Sequence, residues 1–438
     1  MEAHADSPAP HPQVVVITGA SAGLGRAIAL RFARDGARIG LLARGTDGLE
    51  GARRDVEGLG GQALALPTDV ADAEAVERAA EHVEQEFGPI DIWINNAMVS
   101  VFSPVHLMQA DEYRRVTEVT YLGTVHGTLA ALRRMRPRDR GIIVQVGSAL
   151  AYRGIPLQSA YCGAKHAIQG FMDSLRAELL HDESHIRVTS VHMPAMNTPQ
   201  FTWVKSRLPN EPQPVPPIYQ PEVGAEAVYR AALPEFARRE WLVAHPTYVA
   251  VLGNRIAPAL GDRYLASVGY DAQQTDEPVS PARQNNLWSP VPGDHGAHGP
   301  FGTRSTDHSP LLTLTTYRGW VALGVAAVLL LAFTLLVQWM APSGGTPGML
   351  ATLLSFALLF GTAAGWMIGH RNDWRMPNAV VATAVLVLGS LGGPLLTFAI
   401  AGGDPGPLAF AIAVTIAGLS TGLTFWPMGR KQGEEQWL

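Results

Sequence analysis

The sequence predicts a doubly wound parallel α/β sheet, followed by an all-α bundle of four transmembrane helices. Three observations support this fold class. Short apolar runs alternate with helical patterns through 13–270, as in a parallel sheet covered by helices. A glycine-rich turn joins the first run to the first helical pattern. Four apolar runs that lack Asp, Glu, Lys and Arg lie within 319–428, and each is near the ~20 residues that span a bilayer.

Composition divides the 438 residues into three parts: a globular domain over 13–270, a flexible linker over 271–318 and a membrane domain over 319–438. The net charge of −5 gives no sign of a chain that binds nucleic acid. A single cysteine, Cys162, excludes an internal disulfide and is typical of a reducing compartment. The first residues lack the basic and apolar regions of a cleaved signal peptide.

The first strand and helix enclose a candidate nucleotide site. Val14–Ile17 is a β-branched run, Thr18–Gly25 reads TGASAGLG, and a helical pattern follows from Arg26 to Asp35. In this context the glycines let backbone N–H groups and the helix N-terminus approach a pyrophosphate. The alternative is a plain tight turn between strand and helix. The candidate pyrophosphate-binding residues are Gly19, Ser21, Gly23, Leu24 and Gly25.

Arg44 follows the second predicted strand, Arg38–Ala43, where an NAD site usually carries an acidic residue for the ribose. A guanidinium there would pair with a 2′-phosphate, so NADP(H) is favoured over NAD. The alternative is a solvated arginine.

The alternation continues with helix 47–59, strand 62–67, helix 72–87 and strand 90–94. Two further pairs of candidate cofactor contacts follow these two strands. Asp69 and Val70, after strand 62–67, are predicted to reach the adenine. Asn96 and Ala97, after strand 90–94, are predicted to brace the sheet edge.

Tyr161 and Lys165 stand four residues apart, on one face of a predicted helix, and Ser148 ends the strand before it. An ammonium beside a phenol lowers its pKa, so Tyr161 can exchange a proton near neutral pH. Ser148 would hold a substrate oxygen against that phenol. The alternative is an ordinary helix surface. Cys162 has no base partner and is not predicted to be a nucleophile.

These motifs, in this order, resemble the short-chain dehydrogenase/reductase family over residues 13–245: TGASAGLG, DV at 69–70, INNA at 94–97, Ser148 and YCGAK at 161–165. The resemblance implies a Rossmann-type sheet and hydride transfer between a nicotinamide and a carbonyl or alcohol carbon. It also implies that Ser148 orients the substrate oxygen, Tyr161 is the acid/base and Lys165 holds the nicotinamide ribose. A homo-oligomer is expected from the same resemblance.

The sequence departs from that family at two positions. Thr120 stands where the family usually has an asparagine, which helps to hold a water that relays protons from the lysine. The Thr120 hydroxyl can bond back one turn and bend the helix, so Thr120 joins the candidate catalytic residues, with a slower or rewired relay. Met98 replaces a common glycine and is expected to crowd or line the pocket.

Strands are predicted at 141–147 and 186–192, and the second runs into Pro194, Ala195 and Thr198. This resembles the family element in which the threonine bonds the nicotinamide carboxamide. The loop that follows, 194–221, is rich in proline and is interpreted as a lid or binding loop. Its apolar residues, with a second group from 149–157, suit a small lipophilic substrate, or else pack on each other or on a second subunit. They are Phe201, Trp203, Val204, Leu208, Ile218, Tyr219, Ala149, Leu150, Tyr152, Ile155 and Leu157.

A helix is predicted over Tyr248–Tyr264, either capping the domain or lying against a membrane. The predicted linker carries His295, His298 and His308 without cysteine or carboxylate neighbours at ligand spacing, so no metal site is predicted.

The four predicted spans are about 319–341, 349–369, 378–401 and 407–428. Arginine and lysine cluster before the first span, between the second and third, and after the fourth. The positive-inside bias then places both termini and the enzyme domain in the cytoplasm of a bacterium, with the chain a multi-pass protein of the inner membrane in contact with lipid. Glycines recur at four-residue spacing within the spans, which favours close helix packing.

The leading hypothesis is a membrane-anchored NADP(H)-dependent oxidoreductase of a hydrophobic alcohol or carbonyl. A non-catalytic NADP(H)-binding sensor or scaffold is the main alternative, because Thr120 and Met98 depart from the family pattern. The third hypothesis is a transporter with a regulatory nucleotide-binding domain.

Overall fold

The computed structural model describes residues 12–317, and seven strands in that range form one parallel sheet. In chain order they are β1 (Val14–Thr18), β2 (Arg38–Ala43), β3 (Gln62–Pro67), β4 (Ile92–Asn95), β5 (Ile142–Ser148), β6 (Arg187–Met193) and β7 (Glu240–Leu242). Their spatial order is β7-β6-β5-β4-β1-β2-β3. The order reverses between β1 and β4, and such a switch point opens a crevice at the carboxyl ends of the strands.

Alternation of side chains along β1 builds two cores, one on each face of the sheet. Val15 and Ile17 belong to one buried cluster, whereas Val14 and Val16 belong to the other, as the two-residue period of a strand requires. The helices that cover these faces are α1 (Gly23–Ala33), α2 (Thr46–Gly58), α3 (Ala73–Phe87), α4 (Ala110–Val116), α5 (Gly123–Met135), α6 (Ser159–His181), α7 (Gln200–Trp203) and α8 (Pro221–Ala231). The predicted α/β class is therefore confirmed for this part of the chain.

A π-helical turn, Thr117–Leu122, joins α4 to α5. Turns of this kind are rare and are frequent at functional sites. The remaining short elements are 3₁₀ turns and paired strands. The turns are Val105–Leu107, Arg136–Arg138, Ala149–Ala151, Pro234–Phe236, Asp271–Gln273 and Gly302–Arg304, and the pairs are Val101–Phe102 with Lys205–Ser206, Asn210–Pro212 with Gln274–Pro278, and Ile218–Tyr219 with Ser305–Thr306.

The single helix predicted over Tyr248–Tyr264 is instead two helices, α9 (His245–Ile256) and α10 (Pro258–Val268). Pro258 causes the break. It has no N–H to continue α9, and its fixed φ suits the first position of a new helix. Ala257 between the two helices has φ −143° and ψ 63°, outside the helical region.

The stretch predicted as a flexible linker is packed against the domain, and the compact unit extends to Thr313 rather than ending at 270. Leu287 and Phe301 are buried, at 0% and 7% exposure, within a stretch rich in proline, glycine and polar residues. The last described helix is α11 (Pro310–Thr316). The difference arises because single buried apolar residues and backbone hydrogen bonds fix this stretch, and composition reveals neither.

The four predicted transmembrane spans lie outside the described residues. Among residues 12–317, every helix is too short or too polar to cross a membrane.

Candidate functional site

A cleft of 470 Å³ opens at the carboxyl ends of the central strands. All but one of the predicted site residues line it. They are Gly19, Ser21, Gly23, Leu24, Gly25, Arg44, Asp69, Val70, Asn96, Ala97, Ser148, Tyr161, Lys165, Pro194 and Thr198. The exception is Thr120, which is fully buried beside the cleft. The structure therefore brings together residues that lie up to 179 positions apart, from Gly19 to Thr198.

The glycine-rich turn holds the chain tightly at the end of β1. Gly19 has φ +70°, a left-handed conformation that favours glycine. A Cβ on Gly25 would overlap the Gly19 carbonyl oxygen, so α1 can begin this close only with glycine there. The Asn96 amide donates to the carbonyls of Thr18 at 3.0 Å and Gly19 at 3.3 Å. The predicted bracing of the sheet edge by Asn96 is thus present as a direct contact to the turn.

Ser148 ends β5, and its hydroxyl is hydrogen-bonded to the Tyr161 phenol on α6. Burial raises the pKa of Tyr161 above its ordinary value, and the bond from Ser148 offsets only part of this. The sequence predicts the opposite direction, with Lys165 lowering that pKa. The Lys165 ammonium lies 5.6 Å from the centre of the Tyr161 ring. Among the described residues, burial therefore has the largest effect on the pKa of this phenol.

Lys165 is 3% exposed, and burial lowers the pKa of its ammonium to about 8. Its Nζ donates to the Val146 carbonyl at 2.8 Å. An ammonium has three donors, and within 12–317 this carbonyl is the one acceptor bonded to it. Lys165 also lines the cleft, so its two remaining donors are available to a group bound there. They fit a polyhydroxylated group such as a ribose.

Arg44 lies in the cleft on the far side of the glycine-rich turn. Its guanidinium donates to backbone carbonyls of Trp288 at 3.0 Å, Leu287 at 3.4 Å and Asn286. Burial, and then the neighbouring Arg115, lower the pKa of Arg44. Among the described residues no carboxylate is hydrogen-bonded to Arg44, because Asp69 pairs with Arg115 at 2.5 Å. A half-buried guanidinium that has no carboxylate hydrogen-bonded to it fits a 2′-phosphate.

Residues 285–299, here named the strap, cross the nucleotide half of the cleft, and sequence analysis missed them. Arg26, 4% exposed, bonds Asp55 at 2.7 Å and is ion-paired with Asp294 of the strap. The Gly23 N–H donates to the Gly296 carbonyl at 3.0 Å. The His295 ring packs edge-to-face on Trp203, with ring centres 4.7 Å apart. The strap is thus tied to α1, to the glycine-rich turn and to the loop after β6.

Thr120 lies in the π-helical turn but does not bond back one turn, as the sequence suggests. Its hydroxyl accepts from the Val99 N–H at 3.2 Å and donates to the Val99 carbonyl at 3.1 Å. The hydroxyl of Thr124 instead bonds the Thr120 carbonyl at 3.0 Å. Met98 lines the cleft, as its replacement of glycine suggests.

The predicted apolar wall divides into two sets. One set lines the cleft: Ala149, Leu150, Ile155, Phe201 and Trp203. Most of the other set packs into a separate buried cluster with Phe102 and Phe301: Leu157, Val204, Leu208 and Ile218. Three residues of α10, which the sequence did not single out for the wall, complete the lining: Tyr264, Leu265 and Val268. Phe201 belongs to both sets, because it lines the cleft and also packs on Phe102 and Phe301. The other residues of the two sets follow one of the two alternatives, lining the cleft or packing on each other.

Comparisons with known proteins show which proteins this chain is similar to. The short chain dehydrogenase profile matches residues 13–207. An uncharacterized oxidoreductase of Bacillus subtilis, YxnA, is 32% identical over 285 residues, which is 65% of this chain and 80% of YxnA. A fatty acyl-CoA reductase of Acinetobacter baylyi is 30% identical over 59% of this chain and 84% of its own. A crystal structure of a metagenomic short-chain oxidoreductase in complex with NADP is similar at 27% identity, covering 52% of this chain and 94% of that one, with a TM-score of 0.44.

The match to YxnA extends over most of both chains, and the family profile covers the glycine-rich turn, Ser148, Tyr161 and Lys165. The chain therefore belongs to the short chain dehydrogenase family, and it is an oxidoreductase of that type, in a family that uses nicotinamide cofactors.

Proposed function

We propose that the protein is an NADP(H)-dependent oxidoreductase that interconverts a hydrophobic alcohol and its carbonyl, with Tyr161 as the acid/base. The observation that carries this proposal is the position of Ser148, Tyr161 and Lys165 in one cleft with Arg44. The first three serve proton transfer beside a ribose. Arg44 lines the same cleft and offers a half-buried cation suited to a 2′-phosphate.

The protein's part in the reaction is to hold the substrate oxygen and to move one proton. In the reducing direction the substrate carbonyl oxygen accepts hydrogen bonds from Ser148 and Tyr161, and the phenol proton passes to it. The bound nicotinamide supplies or accepts the hydride. Lys165 holds the ribose with its two remaining donors, and its positive charge stabilises the phenolate left behind. In the oxidising direction the same phenolate takes the proton from the alcohol.

The burial of Tyr161 suits a reaction in which the phenol exchanges its proton with a bound ligand rather than with bulk water. The pKa of this phenol is raised by burial in the described residues. A positive charge that arrives with an oxidised cofactor would lower it toward the working pH, so the acid/base becomes competent when the site is filled.

The substrate class follows from the residues around Ser148. The cleft wall there is formed by Leu150, Ile155, Phe201 and three residues of α10, and apolar walls with few polar groups select lipophilic ligands. One relative is named a fatty acyl-CoA reductase, which supports a long-chain substrate. We propose that the residues after 318 anchor this enzyme in a membrane with its active site in the cytoplasm. Assembly as a homo-oligomer stays a prediction.

The full-length protein, purified in detergent, should oxidise NADPH in the presence of long-chain or polycyclic carbonyl compounds. Tyr161→Phe should lower kcat by about 10²- to 10⁴-fold, the usual range for loss of a general acid. Tyr229→Phe is the matched control, since that phenol packs on Arg31 outside the cleft. Turnover that survives Tyr161→Phe would overturn the mechanism. Tight NADPH binding without turnover on any carbonyl would favour the sensor or scaffold.

A further inference from the structure

Helices α9 and α10 carry an exposed apolar surface. Five side chains on them are each at least 50% exposed: Val249, Leu252, Ile256, Leu260 and Tyr264. In α9 they stand at i, i+3 and i+7, and in α10 at i and i+4, so each set shares one helix face. We name these five residues the docking face. Several large apolar side chains exposed on the faces of two successive helices are typical of an interaction site.

The charges around the docking face are mainly positive. Between residues 245 and 268 the charged residues are Arg255, Asp262 and Arg263. The one carboxylate, Asp262, is already paired with Arg153 at 2.5 Å. Within the part of the chain that the structure describes, Arg255 and Arg263 have no ion-pair partner, and both are exposed. Apolar and aromatic side chains flanked by arginine match a surface of anionic lipid headgroups over an acyl layer.

Helix α10 joins this surface to the active site. Tyr264 belongs to the docking face and also lines the cleft, together with Leu265 and Val268. Ser148 and Tyr161 line the same cleft. A lipophilic molecule that left a bilayer beside α10 would therefore meet apolar side chains along its path to the catalytic residues.

We infer that the docking face binds the headgroup region of an anionic lipid bilayer and that the substrate enters the cleft from the bilayer beside α10. The first apolar run after the described residues begins at 319, two residues beyond Tyr317, so a bilayer within reach of the domain is in keeping with the sequence. The entry route rests on the proposed function, whereas the lipid contact does not.

The contact is tested in the full-length protein reconstituted into vesicles of phosphatidylcholine and phosphatidylglycerol. A fluorophore on Ile256→Cys should be quenched by nitroxide-labelled lipids, and one on Leu180→Cys should not. Leu180 is a matched control because it is 63% exposed on a different helix. Native Cys162 is 6% exposed, and the labelled wild type measures its background.

Arg255→Gln and Arg263→Gln should each weaken the lipid quenching of the probe at position 256 on anionic vesicles. The decrease should correspond to an about fivefold lower affinity of the docking face for the bilayer, with little change on pure phosphatidylcholine. Equal quenching at positions 256 and 180 would overturn the docking proposal. So would a probe at 256 that is shielded from aqueous iodide and untouched by lipid quenchers, because a second copy or the chain's own C-terminal residues would then cover the face.

The entry route is tested by Leu252→Asp combined with Ile256→Asp. This variant should raise KM for a bilayer-dissolved aldehyde about tenfold, from the lost burial of two aliphatic side chains. It should leave kcat/KM for a short water-soluble aldehyde unchanged, as should the control Leu180→Asp for both substrates. An unchanged KM for the bilayer-dissolved aldehyde would refute entry beside α10. Absence of turnover on every carbonyl refutes the proposed function instead, and the quenching experiment still reports on the lipid contact.

Discussion

The Thr120 hydroxyl is hydrogen-bonded to both backbone groups of Val99, at 3.2 Å from its N–H and 3.1 Å from its carbonyl. Both residues are buried. This pair ties the π-helical turn to the segment after β4, where Ala97 and Met98 line the cleft. The residue that replaces the family's asparagine therefore has a structural task in addition to any part in a proton relay.

Thr120→Val keeps the shape of the side chain and removes both hydrogen bonds. Because two buried backbone groups of Val99 then lose their partner, we expect the free energy of unfolding to fall by about 1–3 kcal/mol. Urea titration followed by circular dichroism measures the change. Thr117→Val is the control, since that hydroxyl bonds the Tyr113 carbonyl at an exposed site and should change stability by less than about 0.5 kcal/mol. Equal effects of the two variants would contradict the assigned role.

Arg44 has two possible tasks, phosphate recognition and anchoring of the strap, and cofactor affinities separate them. If Arg44 binds a 2′-phosphate, Arg44→Ala should raise Kd for NADPH about 10- to 100-fold, the range for a lost charged hydrogen bond, and leave Kd for NADH nearly unchanged. Titration by nucleotide fluorescence measures both constants. A loss that is equal for the two nucleotides would show that the residue only holds the strap.

Asp294 holds the strap to Arg26, and its carboxyl group also sets a pH dependence. Burial acts to raise the pKa of Asp294, but the hydrogen bond from Arg26 outweighs it and keeps the pKa below its usual value. The anchoring is therefore present above the ordinary carboxyl pKa and is lost as the pH falls through the lowered one.

Asp294→Asn should accelerate NADPH release about tenfold at neutral pH, because the charged hydrogen bond that holds the strap to α1 is weakened. Stopped-flow chase with excess unlabelled nucleotide measures the release rate. Asp307→Asn is the control, since Asp307 is exposed and pairs with His308 outside the strap. An unchanged release rate in Asp294→Asn would mean that the strap does not limit cofactor exchange.

Lys165 is expected to lower stability while it serves catalysis. Burial lowers the pKa of Lys165 to about 8, against about 10.4 in an unfolded chain. Between these two values the unfolded chain keeps a proton that the native protein has lost, so the free energy of unfolding rises with pH. Below about pH 8 the burial cost of the charge is present in full, so Lys165→Met should raise the melting temperature at pH 7 and abolish turnover.

Lys205→Met is the contrasting control for that experiment. Lys205 pairs at 2.7 Å with Glu112, which is 1% exposed, and loss of this partner should lower the melting temperature. A melting temperature that falls equally in both variants would contradict the cost assigned to Lys165.

In the wild type, kcat/KM should decline above about pH 8, because Lys165 of the free enzyme loses its proton there.

The strands of the sheet were predictable because each is a local pattern. The bounds of β2 and β3 match their predicted ranges, and the next three strands differ by at most two residues at either end. Strand β7 was missed because its three residues, Glu240–Leu242, are too few to show a period and follow directly after two arginines. The site residues near Tyr161 and the glycine-rich turn were found for the same reason: their spacing along the chain already encodes their geometry.

The strap was beyond sequence reasoning because its contacts join residues far apart along the chain, such as Arg44 and Asn286, which are 242 positions apart. The polar composition around Leu287 indicates a linker on average, and one buried leucine does not change that average. Likewise the raised pKa of Tyr161 depends on total burial, whereas the sequence shows only the neighbouring lysine.

Arg44 grips the strap through main-chain carbonyls of Asn286, Leu287 and Trp288. Every amino acid offers such a carbonyl, so many substitutions at 286 and 288 would preserve the grip. Homologues that diverge in sequence at these positions of the strap can thus keep its contact with Arg44. A survey for invariant side chains would pass over positions 286 and 288, although it could detect Asp294, whose side chain holds the strap to Arg26.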